Sequence, residues 1–310
     1  MPNLKDIKNR IQSVQSTKKI TRAMKMVAAA KVKKAENTVK ATRPFTRELY
    51  NMFEKMLSSV SGNYSTFTLK VDHAIDNYPK LLERREIKNV GLLVITSNKG
   101  LAGAYNANLI KRTLKTIKDY KAQGIGVRLF VIGQKGISGL TKKVKELGIE
   151  LEKTYIHIID KPNATNSYLV TEDLATLYVN GEIDKIELIT TRFKNMMTYF
   201  VENWPILPLQ NVNTNNKFDG VVESLMEFEP DRHRILQEIV PMFLTNVVYQ
   251  ALLEAQASEL ASRMTAMSAA TSNAEKMLHT LSIEYNKTRQ WAITQEIIEV
   301  ASGANASAGV

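Results

Sequence analysis

The chain has 310 residues, no cysteine, and 42 Lys or Arg against 31 Asp or Glu. Without cysteine, disulfides, thiolate metal sites and thiol-based switches are excluded. The basic N-terminus lacks the apolar core of a signal peptide, and no run approaches the roughly 18 apolar residues of a membrane span, so we expect neither a secreted nor a membrane-inserted protein.

The excess positive charge is concentrated near the N-terminus. Residues 1–48 contain thirteen Lys or Arg against three acidic residues, whereas residues 241–310 contain four against six Glu. A single exposed lysine is often no more than part of a solvated face, but a cluster of this size favours an acidic protein partner. A nucleic-acid partner is the alternative. It is disfavoured because Phe45 is the one aromatic residue in this segment on which bases could stack.

Residues 4–60 have the pattern of one long helix. Residues that are apolar, apart from Thr42 and Thr46, recur at steps of three and four over 4–14 and again over 32–60, which is typical of a coiled-coil seam. We expect Pro44 to kink or loosen this helix, and "SGNYS" (61–65) to end it.

Between these two stretches the apolar pattern changes. The apolar residues here are Ile20, Met24 and Val27, which do not continue the earlier spacing. This change predicts a phase shift of the seam, of the kind that alters the winding of a coiled coil locally.

The central part of the chain alternates between strand and helix patterns. The run "NVGLLVIT" (89–96) is typical of a strand buried on both faces. The further predicted elements are a helix at 104–120, a strand at 126–133, a helix at 138–148, a strand at 154–159, a helix at 164–181 and a hairpin of strands at 184–193 and 197–206. This order predicts a mostly parallel, doubly wound α/β domain of Rossmann-like type.

A second long helix is predicted near the C-terminus. Thirteen positions from Leu253 to Gln295 follow the coiled-coil spacing without a slip, and ten of them are apolar. Two long helices at opposite ends of one chain most simply pair antiparallel. We therefore predict three segments: an N-terminal coiled-coil helix (1–65), an inserted α/β domain (66–225) and a C-terminal coiled-coil helix (226–310).

Motifs for catalysis are weak. "SNKGLAGAYN" (97–106) follows a strand and precedes a helix, where a phosphate-binding turn would lie, but it completes neither the dinucleotide nor the P-loop pattern. A tight turn is the favoured interpretation. The four histidines show no ligand-pair spacing. A nucleotide-binding enzyme built on the central sheet remains the alternative function, and ligand binding by the 70–220 region would support it.

Three segments closely resemble the gamma subunits of F-type ATP synthases. They are "IKNRIQSVQSTKKITRAMKMVAAAK" (7–31), "SNKGLAGAYN" (97–106) and "ELASRMTAMSAATSNAEKMLHTLSIEYNKTRQWAITQEIIEVASGANA" (259–306). The resemblance extends over nearly the whole chain and is most specific in the last segment. It implies a rotor shaft, namely a coiled coil inside a ring of alpha and beta subunits that couples proton-driven rotation to ATP synthesis or hydrolysis. In a bacterium this complex would lie on the cytoplasmic face of the plasma membrane.

The resemblance also implies partners and contact residues. The alpha and beta subunits, the epsilon subunit and the ring of c subunits are the expected partners, while ATP, ADP and magnesium are expected on alpha and beta. The chain itself is expected to be non-catalytic, to need no cofactor and to have no metal site. The residues expected to contact beta are Lys18, Lys19, Arg22, Met24 and Lys25 near the N-terminus, and Arg289, Gln290 and Thr294 at the C-terminal end.

Overall fold

The computed structural model describes residues 4–58, 73–83, 85–208 and 232–308. The helices are α1 (Leu4–Ser58), α2 (Tyr78–Leu81), α3 (Tyr105–Ala122), α4 (Gln134–Lys145), α5 (Ala164–Val179) and α6 (Arg232–Ala308). The strands are β1 (Asn89–Ile95), β2 (Gly126–Ile132), β3 (Leu151–Tyr155), β4 (Lys185–Asn195) and β5 (Thr198–Leu207).

The chain divides into two compact units. The helical unit comprises Met1–Ala30 with Arg263–Val310, and the α/β unit comprises Lys31–Ser262. The expected end of the first helix at 61–65 and the expected segment boundaries at 65/66 and 225/226 lie outside the described residues. The division into three segments therefore stays a prediction.

The sheet of the α/β unit has five strands in the order β3-β2-β1-β4-β5. β1 pairs in parallel with β2 and with β4, and β5 pairs antiparallel with β4. All residues of β1 after Asn89 are buried, which confirms the strand that its apolar run predicted. The mostly parallel sheet and the final hairpin are likewise confirmed.

Helices cover both faces of this sheet. On one face, Leu92 and Val94 of β1 belong to a core that includes Leu109 of α3 and Leu140 of α4. On the other face, α5 shares the core with those parts of α1 and α6 that belong to the α/β unit. Here Phe53 of α1 and Phe243 of α6 stack at a centroid distance of 4.7 Å. The two long helices are therefore partly core helices of an α/β fold and not coiled coil alone.

Two elements of the sheet region, α4 and β3, are displaced from their predicted positions by three or four residues. α4 begins at Gln134, four residues before its predicted start, and β3 spans Leu151–Tyr155 instead of 154–159. The early start of α4 has a tertiary cause: the N–H of Gly136 donates to Thr96 Oγ1 at 2.8 Å, and the N–H of Lys135 donates to the Ser97 carbonyl at 3.0 Å. These acceptors belong to the loop after β1, which local sequence patterns do not reveal.

In the helical unit, α1 and α6 run antiparallel. Lys18 Nζ lies 3.0 Å from Glu275 Oε1, and the hydroxyl oxygens of Thr21 and Thr271 are 2.9 Å apart. As residue numbers rise along α1 they fall along α6, which confirms the predicted antiparallel pairing. Along α6, the predicted seam positions in this unit are buried or half-buried as far as Ala292, and Gln295 is exposed.

The predicted phase shift of the first seam is wrong at Ile20 and Val27, whereas Met24, the third predicted position, is half-buried. Ile20 and Val27 are 60% and 56% exposed, whereas Thr21 and Ala28 are 8% and 2% exposed. The half-buried Lys18 precedes Thr21 by three residues, so the seam keeps its spacing. The change in apolar pattern arises because polar side chains occupy seam positions and find polar partners on α6.

Pro44 lies inside α1, and the helix continues past it to Ser58. The proline lacks the N–H that would bond the carbonyl four residues earlier, yet it does not end the helix.

Within the described residues, α6 is a helix long enough to cross a membrane, and it contains an 18-residue window with mean hydropathy 1.2, apolar enough to do so. Half of that window is buried inside the protein.

One buried carboxylate makes the stability of the α/β unit depend on pH. Asp184 Oδ2 accepts the N–H groups of Lys88 and Asn89, both at 2.9 Å, and Oδ1 lies 2.7 Å from Arg85 Nε. Burial by itself raises the pKa of Asp184, but the two N–H groups and the guanidinium outweigh it and hold the pKa below its ordinary value of 3.8.

The Asp184→Asn substitution is therefore expected to lower the free energy of unfolding at pH 7 by about 1–3 kcal/mol. Because the folded-state pKa is depressed, the wild-type advantage is present above about pH 4 and is lost as pH falls through the folded pKa. Urea unfolding of both proteins at pH 7 and pH 3 measures this difference. A deficit of equal size at both pH values would show that the charge of Asp184 is not its cause.

Candidate partner-binding surfaces

The N-terminal part of α1 makes the helical unit positive on one side. Residues 4–30 contain seven Lys or Arg against Asp6 as the one acidic residue, whereas residues 263–308 contain four of each sign. Lys19, Arg22 and Lys25 are exposed, and we call them the α1 cationic surface. Since the two paired helices differ in charge, the unit presents different electrostatic surfaces to a partner on different sides.

Lys18 and Met24 differ from these three residues. Lys18 is half-buried, with its side chain 32% exposed, and forms an ion pair with Glu275 of α6. Met24 is half-buried as well. Of the five residues expected near the N-terminus, three are therefore free to meet a partner from outside, while Lys18 contributes to the pairing of the helices.

Apolar side chains lie beside the α1 cationic surface. Ile20, Met26 and Val27 are 60%, 57% and 56% exposed. Ile20 and Val27 are seven residues apart and lie on the same side of the helix, whereas Met26 lies beside Arg22, four residues before it. Exposed apolar groups among cations are typical of a surface that binds another protein. The apolar pattern of the sequence does not reveal this exposure, because it places Ile20 and Val27 in the seam.

The C-terminal end of α6 has a different character. Arg289 and Gln290 are exposed beside the half-buried Thr288 and Ala292, so both point away from the seam as expected. The Thr294 hydroxyl donates to the Gln290 carbonyl at 2.8 Å. Beyond Ala292, every residue up to 304 is exposed. We call residues 288–304 the C-terminal tip.

The tip is also apolar. Its exposed apolar side chains are Trp291, Ile293, Ile297, Ile298 and Val300. A single helix gains most of its stability from packing one face on other elements, and the exposed part of the tip lacks such packing within the described residues. Its mixture of large apolar groups with Arg289 and Gln290 suits a surrounding protein surface.

The carboxyl edge of the parallel strands is where doubly wound folds bind nucleotides, and here α6 covers it. The Tyr105 hydroxyl donates to the Ala255 carbonyl at 3.1 Å, and Ser262 Oγ donates to the Ala102 carbonyl at 2.7 Å. Gln256 Nε2 donates to the Asp160 carbonyl at 2.9 Å. Tyr105 is fully buried, and this burial raises the pKa of its hydroxyl.

The loop after β1 is closed by its own side chains. Asn106 Oδ1 accepts the N–H of Ser97 at 3.1 Å, and Asn98 joins the N–H of Gln134 to the Asp160 carboxylate. These bonds occupy groups that a phosphate would need, so they favour the tight-turn interpretation over a nucleotide site. In the described part of the chain, no group of three or more His, Cys, Asp or Glu residues is placed to hold a metal ion.

Comparison with known proteins relates the whole chain to one family. The family model described as ATP synthase matches residues 3–306. The ATP synthase gamma chain of Gloeothece citriformis is 39% identical over 333 residues, covering 99% of this chain and all of the relative. That of Picosynechococcus is also 39% identical, over 329 residues with the same coverage.

Solved structures agree at the level of the fold. A chain from the central stalk and c-ring of the Tetrahymena thermophila mitochondrial ATP synthase matches with TM-score 0.59 and 26% identity, covering 81% of this chain and 99% of that one. A chain from the rotor of the Euglena gracilis mitochondrial ATP synthase matches with TM-score 0.64 and 16% identity. The match covers 94% of this chain and 98% of that one.

Proposed function

We propose that this chain, which belongs to the gamma chain family of the ATP synthases and is the central rotor shaft of the complex, acts on its partners through surface contacts that differ around the shaft and has no catalytic site of its own. The observation that carries this proposal is the uneven charge of the helical unit, which is positive along α1 and balanced along α6. A shaft of this kind presents a different side to each catalytic subunit around it. It therefore shifts their conformational equilibria through contacts that differ from subunit to subunit.

The α1 cationic surface is the proposed contact with an acidic region of a beta subunit. Lys19, Arg22 and Lys25 supply the charge, and the half-buried Met24 lies among them. Lys18 joins this contact in part, because its ammonium group is shared with Glu275. Electrostatic complementarity of this kind fixes orientation and discriminates against wrong partners.

The C-terminal tip is the proposed second contact with beta. Arg289 and Gln290 would donate hydrogen bonds to a beta loop, and Thr294 would contribute beside them. The exposed apolar side chains of the tip support the same proposal, since they suit the non-polar interior of a ring of alpha and beta subunits.

The remaining partners follow from the rotor role. We propose that the α/β unit binds the epsilon subunit and the ring of c subunits, and that ATP, ADP and magnesium bind to alpha and beta. The complex would lie on the cytoplasmic face of a bacterial plasma membrane, with this chain as a peripheral subunit. Coverage of the carboxyl edge of the sheet by α6 supports placing nucleotide binding on the partners.

The double variant Arg289→Ala with Gln290→Ala tests this function. Neither residue lies in the seam, so the helices should pair normally while ATP turnover by the reconstituted alpha–beta–gamma complex falls roughly tenfold, the loss expected from removing a charge-assisted hydrogen bond. The matched control replaces the neighbouring exposed residues Asn286 and Lys287 by Ala.

The chain alone, without alpha and beta subunits, should hydrolyse no ATP.

Two results would contradict the proposal. Turnover by the chain in a preparation free of alpha and beta subunits would show that it has a catalytic site. Normal turnover by a correctly assembled complex carrying the tip variant would show that Arg289 and Gln290 do not contact beta productively.

A further inference from the structure

A buried ion pair joins α1, α6 and the sheet within the α/β unit. Glu254 of α6 is 1% exposed. Its carboxylate accepts Nε and Nη2 of Arg43 of α1, both at 2.8 Å, one on each oxygen. It also accepts the backbone N–H of Phe193, near the end of β4, at 2.8 Å. This side chain of α6 is thus bonded to two other elements, α1 and β4.

The same network includes further bonds. Arg43 Nη2 donates to the Phe193 carbonyl at 2.5 Å, so the guanidinium contacts the strand directly as well as through Glu254. Gln250 Nε2 donates to Glu254 Oε1 at 3.0 Å, and the Thr42 hydroxyl donates to Gln250 Oε1 at 2.8 Å. The bond to Glu254 raises the pKa of Arg43, so its positive charge is retained at any physiological pH. We call Arg43, Glu254 and the Phe193 backbone the clamp.

The clamp differs in kind from the apolar contacts around it. The core on this face of the sheet holds the helices by burial of apolar surface, which is favourable but not directional. A two-pronged guanidinium–carboxylate pair is directional, because both N–H groups must stay aligned with both oxygens. Small rotations of the helices about their axes would therefore disturb the clamp before they disturbed the core.

We propose that Arg43 and Glu254 are positioning residues that transmit torque between the sheet and the two long helices. This inference rests on the proposed role of the chain as a coupling shaft. Torque applied to the α/β unit reaches the helices through the clamp, because it holds α1 and α6 at one angle relative to β4. Torque generated on the helices returns through the same bonds.

The test separates torque transmission from turnover. In a soluble alpha–beta–gamma complex the α/β unit carries no load, so ATP turnover needs no torque through the clamp. In the complete synthase in membrane vesicles, proton pumping per ATP hydrolysed does need it. We therefore expect loss of the clamp to preserve soluble turnover and to reduce pumping per ATP to less than about half of wild type, because the remaining apolar contacts are not directional.

The variant must remove the charges without leaving one buried alone. Arg43→Ala would leave the Glu254 carboxylate without its cation, which is strongly destabilising. Arg43→Met with Glu254→Gln instead leaves a neutral pair of similar size, and Gln keeps an oxygen to accept the Phe193 N–H. Its melting temperature should stay close to that of wild type. Arg43→Lys keeps the charge but not the two-pronged geometry. Its proton pumping per ATP should lie between that of wild type and that of the double variant.

A matched control exists in the same unit. Arg192 pairs with Glu202 at 2.8 Å, but both residues belong to the β4–β5 hairpin and neither joins it to a helix. Arg192→Met with Glu202→Gln should leave pumping per ATP unchanged. Normal pumping by the clamp variant would overturn the proposal, and so would a loss of soluble turnover equal to the loss of pumping. If the chain did not act as a coupling shaft at all, a different result would follow: ATP turnover by the soluble complex would be the same with and without the wild-type chain.

Discussion

Reversing the α1 cationic surface is expected to lower proton-driven ATP synthesis at least about tenfold, because like charges brought together at an interface cost several kcal/mol. The variant is Lys19→Glu, Arg22→Glu and Lys25→Glu in one chain. All three side chains are exposed, and exposed substitutions usually change the free energy of unfolding by under about 0.5 kcal/mol each. The chain should therefore fold and assemble. ATP synthesis by energised vesicles containing the assembled complex measures the effect.

The matched control reverses three exposed lysines of α4, namely Lys142, Lys143 and Lys145. It changes the net charge by the same amount on a helix for which no contact with beta is proposed. If both variants assemble and synthesise ATP at the wild-type rate, the electrostatic contact with beta is wrong. If ATP synthesis falls equally in both variants, the loss is not specific to the α1 cationic surface.

Gly133→Ala is expected to destabilise the α/β unit by roughly 3–5 kcal/mol, a large share of the stability of a typical domain. Gly133 lies between β2 and α4 with φ of 99°. A Cβ at this position would lie 2.3 Å from the carbonyl oxygen of Thr96 and 2.6 Å from its carbonyl carbon. Both are backbone atoms beside the central strand, so they cannot turn aside as a side chain would. The free energy of unfolding in urea measures the loss.

Gly148→Ala is the control for backbone strain. Gly148 has φ of +71°, and an added Cβ would meet nothing within 4 Å. This substitution should cost about 1–2 kcal/mol, from the left-handed conformation alone. If the free energy of unfolding falls by the same amount in both variants, the close approach of the added Cβ to Thr96 contributes nothing to the destabilisation.

Local patterns in the sequence were sufficient for most of the secondary structure. The apolar run at 89–96 is a central buried strand, and the residues around it alternate between helix and strand as expected. The seam of α6 is correctly placed from Leu253 to Ala292. These predictions succeed because the period of apolar residues reflects burial directly, two for a strand and about three and a half for a paired helix.

The candidate surfaces were predicted only in part. The positive charge near the N-terminus and the polar side chains of the C-terminal tip are evident in the sequence, and the family resemblance named eight residues within these two regions. The structure separates Lys18, which pairs with Glu275, from the exposed Lys19, Arg22 and Lys25. It also adds Ile20 and its exposed apolar neighbours beside that surface.

The sequence by itself therefore determined the class of fold, the two long helices and the region of the cations. Tertiary structure alone decided which polar residues are internal. Thr21 is a seam residue because Thr271 lies opposite, and Glu254 is buried because Arg43 neutralises it. Each pair is separated by more than 200 residues of chain. A local pattern records how apolar a position is, whereas burial of a polar group depends on a hydrogen-bonding partner that only the folded chain brings near.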